Sequence, residues 1–274
     1  MLELLGDVAS FLMTPFDYAV SAFLLAWHEI LELVRDDEGW VWTLAIVGTA
    51  ATIRLLMLPI HLRQVRARRD IKRLEPETRA LKHTYKDDPE RLAQEQMRIL
   101  KAAGVNPFLS CLPLVLLGLL LLALYRIIDA AAKHGPGDGS FQRGLVSDTE
   151  ARSLGQAEVL GARIADTFLD STSETQVVAG VLVAVICAMH VVAQRQEATQ
   201  LAGPQVVSGP IEQRQSLMLP ALLIAMAAFS LVLPVGVLVF WATSKVWTVV
   251  QQRVFRDDPG WGPGSSAAPT SGLG

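Results

Sequence analysis

Residues 40–62 have the sequence WVWTLAIVGTAATIRLLMLPIHL. A run of roughly 20 apolar residues can cross about 30 Å of hydrocarbon as a helix, so this stretch predicts a membrane span. Arg54 lies well inside the run, and an arginine there costs at least ~2.5 kcal/mol on insertion scales. We therefore expect Arg54 to face a charged partner, a hydrated cavity or the membrane interface.

The composition indicates that further spans follow. Of the 274 residues, 51% are hydrophobic and 19% are charged, and the apolar residues are collected in long runs. This distribution is typical of an all-α polytopic membrane protein. The two cysteines, Cys111 and Cys187, both lie in apolar runs, and no Cys/His spacing suits a metal ion. Neither a disulfide framework nor a metal site nor another cofactor is therefore expected.

The N-terminal segment, residues 1–39, is strongly acidic. Arg35 is its single basic residue, and its acidic residues are Glu3, Asp7, Asp17, Glu29, Glu32, Asp36, Asp37 and Glu38. Because segments rich in Lys and Arg stay in the cytoplasm, this segment is expected on the outer side. Apolar residues at helical spacing after Pro15 predict an amphipathic helix on the outer membrane surface. An additional spanning helix over residues 15–34 is the alternative.

Residues 63–104 carry the strongest topological signal. Twelve basic residues lie here: Arg63, Arg66, Arg68, Arg69, Lys72, Arg73, Arg79, Lys82, Lys86, Arg91, Arg98 and Lys101. Such a concentration of positive charge places the loop in the cytoplasm. Apolar residues stepping by three and four on both sides of KDDP predict a helical hairpin, with Asp88 as the N-cap and Pro89 as the first residue of its second helix. A solvated charged linker is the alternative.

The rest of the chain contains four further apolar runs. Pro113 is expected to bend the first of them. The predicted segments are a second span at 106–128, an outer loop with one surface helix at 129–175, a third span at 176–194, a cytoplasmic loop at 195–214, a fourth span at 216–233, a fifth span at 235–255 and a disordered cytoplasmic tail at 256–274. Together with 40–62 they predict a five-helix transmembrane core, with the N-terminus outside and the C-terminus in the cytoplasm.

Several separated motifs occur in order along the chain. They are Arg54 followed by Pro59 and Gln64; LEPETRALKHTYKDDPERLAQEQMRILKAAGVNP at 74–107; Cys111-Leu112-Pro113 and Ala123-Leu124-Tyr125; and PVGVLVFWATSKVWTVVQQ at 234–252. Together these motifs resemble the YidC/Oxa1/Alb3 family of membrane protein insertases. The sequence AEVLGARIADTFL at 157–169 is most similar to the actinobacterial branch.

The resemblance implies a non-enzymatic insertase of the bacterial plasma membrane. In this family five core helices enclose a hydrophilic groove that is open to the cytoplasm and the lipid and closed on the outer side. The groove receives the hydrophilic segment of a nascent membrane protein, while the apolar segment slides into lipid. The groove residues implied for this chain are Arg54, Leu117, Gly118, Leu121, Trp241 and Lys245, and the hairpin residues are Arg68, Arg69, Lys72, Arg73, Tyr85, Asp87 and Asp88.

The resemblance also implies partners. Nascent membrane proteins and the lipid bilayer are expected, and the Sec translocon and the ribosome are further candidates. The C-terminal segment lacks the long basic tail of many family members, so ribosome binding would depend on the hairpin. No specific nucleic-acid sequence is expected to bind, because the basic residues are explained by topology and lipid headgroups.

Four positions depart from the family pattern. Ser110, Leu117 and Leu119 stand where the family commonly has Gly, Gln and Pro, and Lys245 stands where it usually has Asn. Leu117 would make the groove less polar. Lys245 either adds a second positive charge at a depth similar to that of Arg54 or extends to a lipid headgroup.

Three other functions remain open. The departures fit a specialised insertase paralogue that acts as a chaperone beside the translocon. A transporter could use Arg54, His190 and Lys245, although the sequence has no inverted repeat and no paired broken helices. For an intramembrane enzyme, HEILE at 28–32 lacks the second histidine of a zinc-protease motif, and GPGD at 135–138 falls in the outer loop without a second membrane aspartate.

Overall fold

The computed structural model describes residues 2–63, 81, 84–85, 88–102, 112–135, 140–141, 143–169, 172–200 and 223–254. Within these ranges the chain is mainly helical and has one two-stranded sheet. The elements are α1 Leu2–Glu32, α2 Glu38–Leu56, α3 Pro89–Ala102, α4 Leu112–Lys133, α5 Asp148–Gln156, β1 Glu158–Val159, β2 Ala162–Arg163, α6 Ser173–Gln200 and α7 Val235–Val254. Residues 58–63 and 223–230 are also helical.

Four of these helices contain a segment that is long and apolar enough to cross a membrane. The segments are Ser10–Glu32, Glu38–Leu56, Val115–Lys133 and Ser173–Gln196. The helical content and these segments agree with an all-α multi-pass membrane protein. α7 is outside this set, and the predicted span at 216–233 lies only partly among the described residues.

α2 begins and ends at local sequence signals. The side chain of Asp37 accepts a hydrogen bond from the backbone N–H of Trp40 at 3.2 Å, so Asp37 caps a helix that begins at Glu38, two residues before the predicted span. The helix is interrupted at Met57 and resumes over 58–63. Pro59 explains the interruption, because it has no N–H to donate to the carbonyl of Leu55.

Several helices are longer than the apolar runs that predicted them. α1 continues through Pro15 instead of beginning after it. α4 extends to Lys133, past the predicted end at 128, and the Lys133 amine forms a salt bridge one turn back with Asp129 at 2.7 Å. Polar residues that pair along a helix can extend it beyond its apolar part.

The predicted outer loop contains a packed unit, residues 143–169, which we call the outer cap. Its helix α5 begins with a capping box between Ser147 and Glu150. The hairpin β1–β2 that follows was not predicted. Leu160 and Gly161 form its two-residue turn, with φ angles of 53° and 77°, as in a type I′ turn.

The outer cap contacts the starts of α2 and α7. Backbone N–H groups of Val235 and Gly236 donate to the cap carbonyls of Asp166 and Ile164, each at 2.9 Å, so the cap supplies acceptors at the start of α7. Gly39, at the start of α2, lies directly against the carbonyl of Glu158 in β1. α2 and α7 therefore begin at this end of the bundle, and α4 ends there.

The middle of α1 packs against α4 and the cap. Asp17, which is buried, forms ion pairs with Arg126 of α4 at 3.4 Å and with Arg143 of the cap at 3.7 Å. One helical turn later, the Ser21 hydroxyl oxygen accepts a hydrogen bond from the N–H of Leu145 at 2.9 Å. Residues buried at helical spacing, including Val20 and Leu24, line this side of α1.

We expect Gly39→Ala to destabilise the protein, because the added Cβ would overlap the carbonyl oxygen of Glu158. Overpacking of this kind costs about 1–3 kcal/mol. Gly118→Ala is the matched control, since a Cβ there meets nothing within 4 Å and alanine favours a helix over glycine by about 1 kcal/mol. Thermal unfolding of both variants in detergent tests this, and equal midpoints would contradict close packing at Gly39.

Candidate functional site

Arg54 lies near the end of α2, on a half-buried face of the helix. The other members of this face are Leu44, Val47, Ala51 and Leu58. The Nε atom of Arg54 is buried without a hydrogen-bond partner, and the guanidinium has no ion pair among the residues that the structure describes. A partly buried guanidinium without a counter-ion needs water or another ligand to solvate it.

The distance of Arg54 from the cap, measured along the helix axis, can be compared with the distances of residues in α7. A Cβ on Gly236 would lie 2.8 Å from Ile128 and 3.1 Å from Ile46, so these three residues share one level beside the cap. Arg54 follows Ile46 by eight residues, and Ser244 follows Gly236 by eight residues. Both helices run away from the cap, so Arg54 and Ser244 lie at a similar depth, about 12 Å below that level.

The other residues implied for the groove fall in the same layer. Trp241 and Lys245 follow Gly236 by five and nine residues, which places them about 8 and 14 Å from the cap level. α4 runs towards the cap, and Leu121 and Leu117 precede Ile128 by seven and eleven residues, or about 10 and 16 Å. The fold thus brings these residues to one range of depth.

The α4 residues implied for the groove lie on two different faces of that helix. Leu117 and Leu121 are half-buried, whereas Gly118 shares an exposed apolar face with Val115 and Leu122. Trp241 of α7 is half-buried and packs edge-on against Phe229, with 6.4 Å between the ring centroids. Gly118 is therefore on the apolar outer surface of the bundle rather than beside the half-buried residues.

Buried polar atoms without hydrogen-bond partners are concentrated on the half of α7 away from the cap. They are the Ser244 hydroxyl, the Trp247 indole nitrogen and the Gln251 amide nitrogen. With the Arg54 Nε, they extend from the depth of Arg54 to about 10 Å beyond it. Each would cost about 1–3 kcal/mol if it stayed dry, and buried water commonly satisfies such groups. The arrangement suits a hydrated space between α2 and α7.

Ser244, Trp247 and Gln251 were not predicted as site residues from the sequence. Ser244 and Gln251 are seven residues apart, which is two helical turns, so they share a face of α7. This polar spacing was visible in the sequence. Its relation to a site was not visible there, because only the packed structure shows that both side chains are buried.

Lys245 contacts His190. Neither the hypothesis of a second groove charge nor that of a lipid-headgroup contact included this side chain. The Lys245 ammonium donates to Nδ1 of His190 at 3.2 Å, and His190 is buried on α6. An ammonium can only donate, so Nδ1 is the acceptor and a neutral imidazole carries its proton on Nε2. The contact directs Lys245 towards α6, the helix against which α7 packs most extensively.

The residues implied for the cytoplasmic hairpin are only partly described. Asp88 Oδ1 accepts a hydrogen bond from the N–H of Arg91 at 3.0 Å, which confirms Asp88 as the N-cap of α3. Tyr85 is half-buried. Arg68, Arg69, Lys72, Arg73 and Asp87 lie outside the described residues.

Potential metal ligands are grouped at the opposite end of the molecule. His28, Glu32 and Glu38 lie close together where α1 meets α2. Within the described ranges no such group occurs near Arg54. The layer around Arg54 therefore offers solvation and positive charge rather than a metal centre.

Comparison with known proteins identifies the family. The family described as 60Kd inner membrane protein matches residues 34–259. The chain is 30% identical to a protein of Tropheryma whipplei (strain Twist) over 93% of this chain and 86% of that protein. It is 29% identical to a Streptomyces avermitilis protein over 97% of this chain, but spans 62% of that longer protein. A Mycobacterium tuberculosis protein is 23% identical over 86% of the chain and 70% of its own length.

All three relatives carry the name membrane protein insertase YidC, and all come from the bacterial branch that the motif at 157–169 resembled. The matched region includes Arg54, the basic loop and α7. The chain belongs to the 60Kd inner membrane protein family, that of YidC and Oxa1.

Proposed function

We propose that this chain is a membrane protein insertase and chaperone without enzymatic activity. It receives hydrophilic segments of nascent membrane proteins in a groove around Arg54 and releases their apolar segments into the lipid bilayer. The names of its relatives support this activity. Membership of the family supports a bacterial plasma membrane location and nascent membrane proteins as substrates.

The observation that carries the proposal is the set of unsatisfied polar atoms that begins at the depth of Arg54 and continues away from the cap. Arg54, Ser244 and Gln251 each leave a buried polar atom without a partner in the described structure. A water-filled groove would satisfy these atoms, and a hydrophilic peptide segment could replace that water with its own polar groups. The Arg54 charge would attract acidic segments more strongly there than in bulk water, because the surrounding helices lower the dielectric constant.

The exposed face of α4 offers a path for the apolar part of a substrate. Val115, Gly118 and Leu122 form an apolar surface at the depth of the groove. A Cβ at Gly118 would meet nothing within 4 Å, so space is open there. A substrate helix on this surface would stay in contact with lipid, which solvates apolar side chains as well as protein does.

The proposed topology places the outer cap outside and residues 63–104 in the cytoplasm, because the basic residues are concentrated in that loop. The five proposed spans retain the predicted limits of 40–62, 106–128, 176–194, 216–233 and 235–255. α1 lies on the outer surface in this arrangement. Asp17 and His28 contact residues at the cap end, whereas the Trp27 indole N–H donates to Thr52 of α2 at 3.0 Å, further from the cap. Exposed apolar residues such as Phe11 and Ile30 would enter the lipid interface.

Two further partners are part of the proposal. The cytoplasmic hairpin carries the basic residues that would contact a ribosome or anionic headgroups. The Sec translocon would contact the bundle laterally in the membrane.

A paralogue restricted to few clients is the second candidate function, because Leu117 and Lys245 depart from the family pattern and Lys245 is hydrogen-bonded to His190.

We expect Arg54→Ala to lower insertion of a substrate with an acidic N-terminal tail by at least about tenfold, which corresponds to ~1.4 kcal/mol. The reason is loss of the charge that attracts the tail. Arg63→Ala is the matched control, since Arg63 is an exposed cation at the end of the short helix that follows α2. Insertion is measured in proteoliposomes and by rescue of cells depleted of their own insertase.

Equal insertion by the Arg54→Ala and Arg63→Ala variants would contradict a role for Arg54 in the groove. If the unmodified chain fails to rescue cells but inserts a client in proteoliposomes, the specialised paralogue is supported. Solute uptake without insertion would support a transporter.

Lys245→Gln tests the second positive charge. We expect insertion of an acidic-tailed substrate to fall about two- to fivefold, because a hydrated charge pair contributes ~0.5–1 kcal/mol. Insertion of a neutral-tailed substrate should not change. Arg253→Gln, at an exposed position near the end of α7, is the control. Equal losses with both tails would indicate a structural role for the contact with His190.

The topology can be tested by cysteine labelling after Cys111 and Cys187 are replaced by serine. Glu90→Cys in α3 and Arg152→Cys in α5 introduce thiols at exposed positions. In intact spheroplasts, we expect a membrane-impermeant maleimide to label position 152 but not position 90. In inverted vesicles the pattern should reverse. The opposite pattern would overturn the proposed orientation.

A further inference from the structure

A cluster of ionisable side chains lies at the cap end, where α1 is joined to α2. His28 and Glu32 are one helical turn apart near the end of α1, and Glu38 is the first residue of α2. His28 Nδ1 is 3.5 Å from Glu32 Oε1, and His28 Nε2 is 3.8 Å from Glu38 Oε2. One potential ligand atom from each residue lies within 4.8 Å of the other two.

The His28 imidazole is buried and held in place. Its side chain is 7% exposed, and its Nε2 has no hydrogen-bond partner. The ring packs on Trp42 with 3.8 Å between the ring centroids and 35° between the planes. The buried imidazole is thus fixed between two carboxylates, with Nδ1 towards Glu32, Nε2 towards Glu38 and no hydrogen bond at Nε2.

Glu38 is also positioned by hydrogen bonds. The Ser153 hydroxyl of α5 donates to Glu38 Oε2 at 2.6 Å, and the Trp42 indole N–H donates to Ser153 Oγ at 2.8 Å. Metal-binding carboxylates are commonly oriented by such hydrogen bonds. The side chains of Glu32 and Glu38 are half exposed, so an ion in solution could reach them.

The donor set favours one class of ion. With a neutral imidazole, the two carboxylates repel each other, and a divalent cation would offset this repulsion. Magnesium and calcium prefer oxygen ligands, whereas zinc readily accepts one nitrogen and two oxygens. Zinc–ligand bonds of about 2.0–2.2 Å place ligand atoms about 3.4 Å apart. Small rotations of the exposed glutamate side chains would bring the three ligands to that spacing.

We propose that His28, Glu32 and Glu38 bind one Zn²⁺ ion, with water as the fourth ligand. The ion joins the end of α1 to the start of α2, and the hydrogen bond from Ser153 extends this connection to the outer cap. The site holds the N-terminal helix against the cap. It is distant from Arg54 and does not depend on the proposed insertase activity.

The test uses the full chain in detergent without a polyhistidine tag, after removal of metals with EDTA. Zn²⁺ affinity is measured by competition with a chromophoric chelator, and the thermal midpoint is measured with and without Zn²⁺. We expect one ion per chain and at least a tenfold weaker affinity for His28→Gln and for Glu38→Gln. Zn²⁺ should raise the midpoint of the unmodified chain and not that of these variants. Glu29→Gln removes an exposed acid from the same helix and should behave like the unmodified chain.

Equal Zn²⁺ affinity of the unmodified chain and Glu38→Gln would overturn the proposal and leave His28 as a packing residue between the two acids. A comparable loss for Glu29→Gln would also overturn it, because that result indicates nonspecific binding to surface acids. If His28→Gln does not fold, the Zn²⁺ affinity of Glu38→Gln tests the proposal. This variant is expected to fold, because glutamine at this exposed position can still accept the hydrogen bond from Ser153.

Discussion

The solvation of Arg54 is the constraint on which the inner half of this bundle depends. A guanidinium among apolar helices needs water or a counter-ion, and the described residues supply no counter-ion. Ser244 and Gln251 of α7 add buried polar atoms with the same requirement. One hydrated space would satisfy all of them together. A fully dry interface would leave several groups each at a cost of about 1–3 kcal/mol.

The cap end is packed differently from the part of the bundle around Arg54. The two ends of the bundle therefore differ in structure. Backbone packs closely there, as Gly39 meets Glu158 and Gly236 meets Ile46 and Ile128. Hydrogen bonds from Val235 and Gly236 to the cap satisfy the start of α7. Polar atoms of Asp17, His28 and His134 are buried at this end too, but the backbones pack closely here. The proposed insertion mechanism requires this difference in packing, because hydrophilic chain would enter from the end away from the cap.

Local signals predicted much of this arrangement, and long-range contacts account for what was missed. Arg54 is conspicuous in an apolar run, and Asp88 followed by Pro89 marks the start of α3 within a few residues. The hairpin around Leu160 was missed because strands of two residues show no alternation. The contact of Lys245 with His190 joins positions 55 residues apart, and no local pattern indicates it. The burial of Ser244 likewise depends on helix packing.

The contact between Lys245 and His190 explains how two cations can occupy one depth of the bundle. A carboxylate partner would neutralise Lys245, whereas a neutral imidazole accepts its hydrogen bond without cancelling its charge. The ammonium is then partly solvated by the protein, and its field still adds to that of Arg54. Three of the described acids that have ionisable partners lie at the cap end: Asp17 with two arginines, and Glu32 and Glu38 beside His28. Separating the acids from the cations along the bundle keeps the proposed groove electropositive for acidic segments.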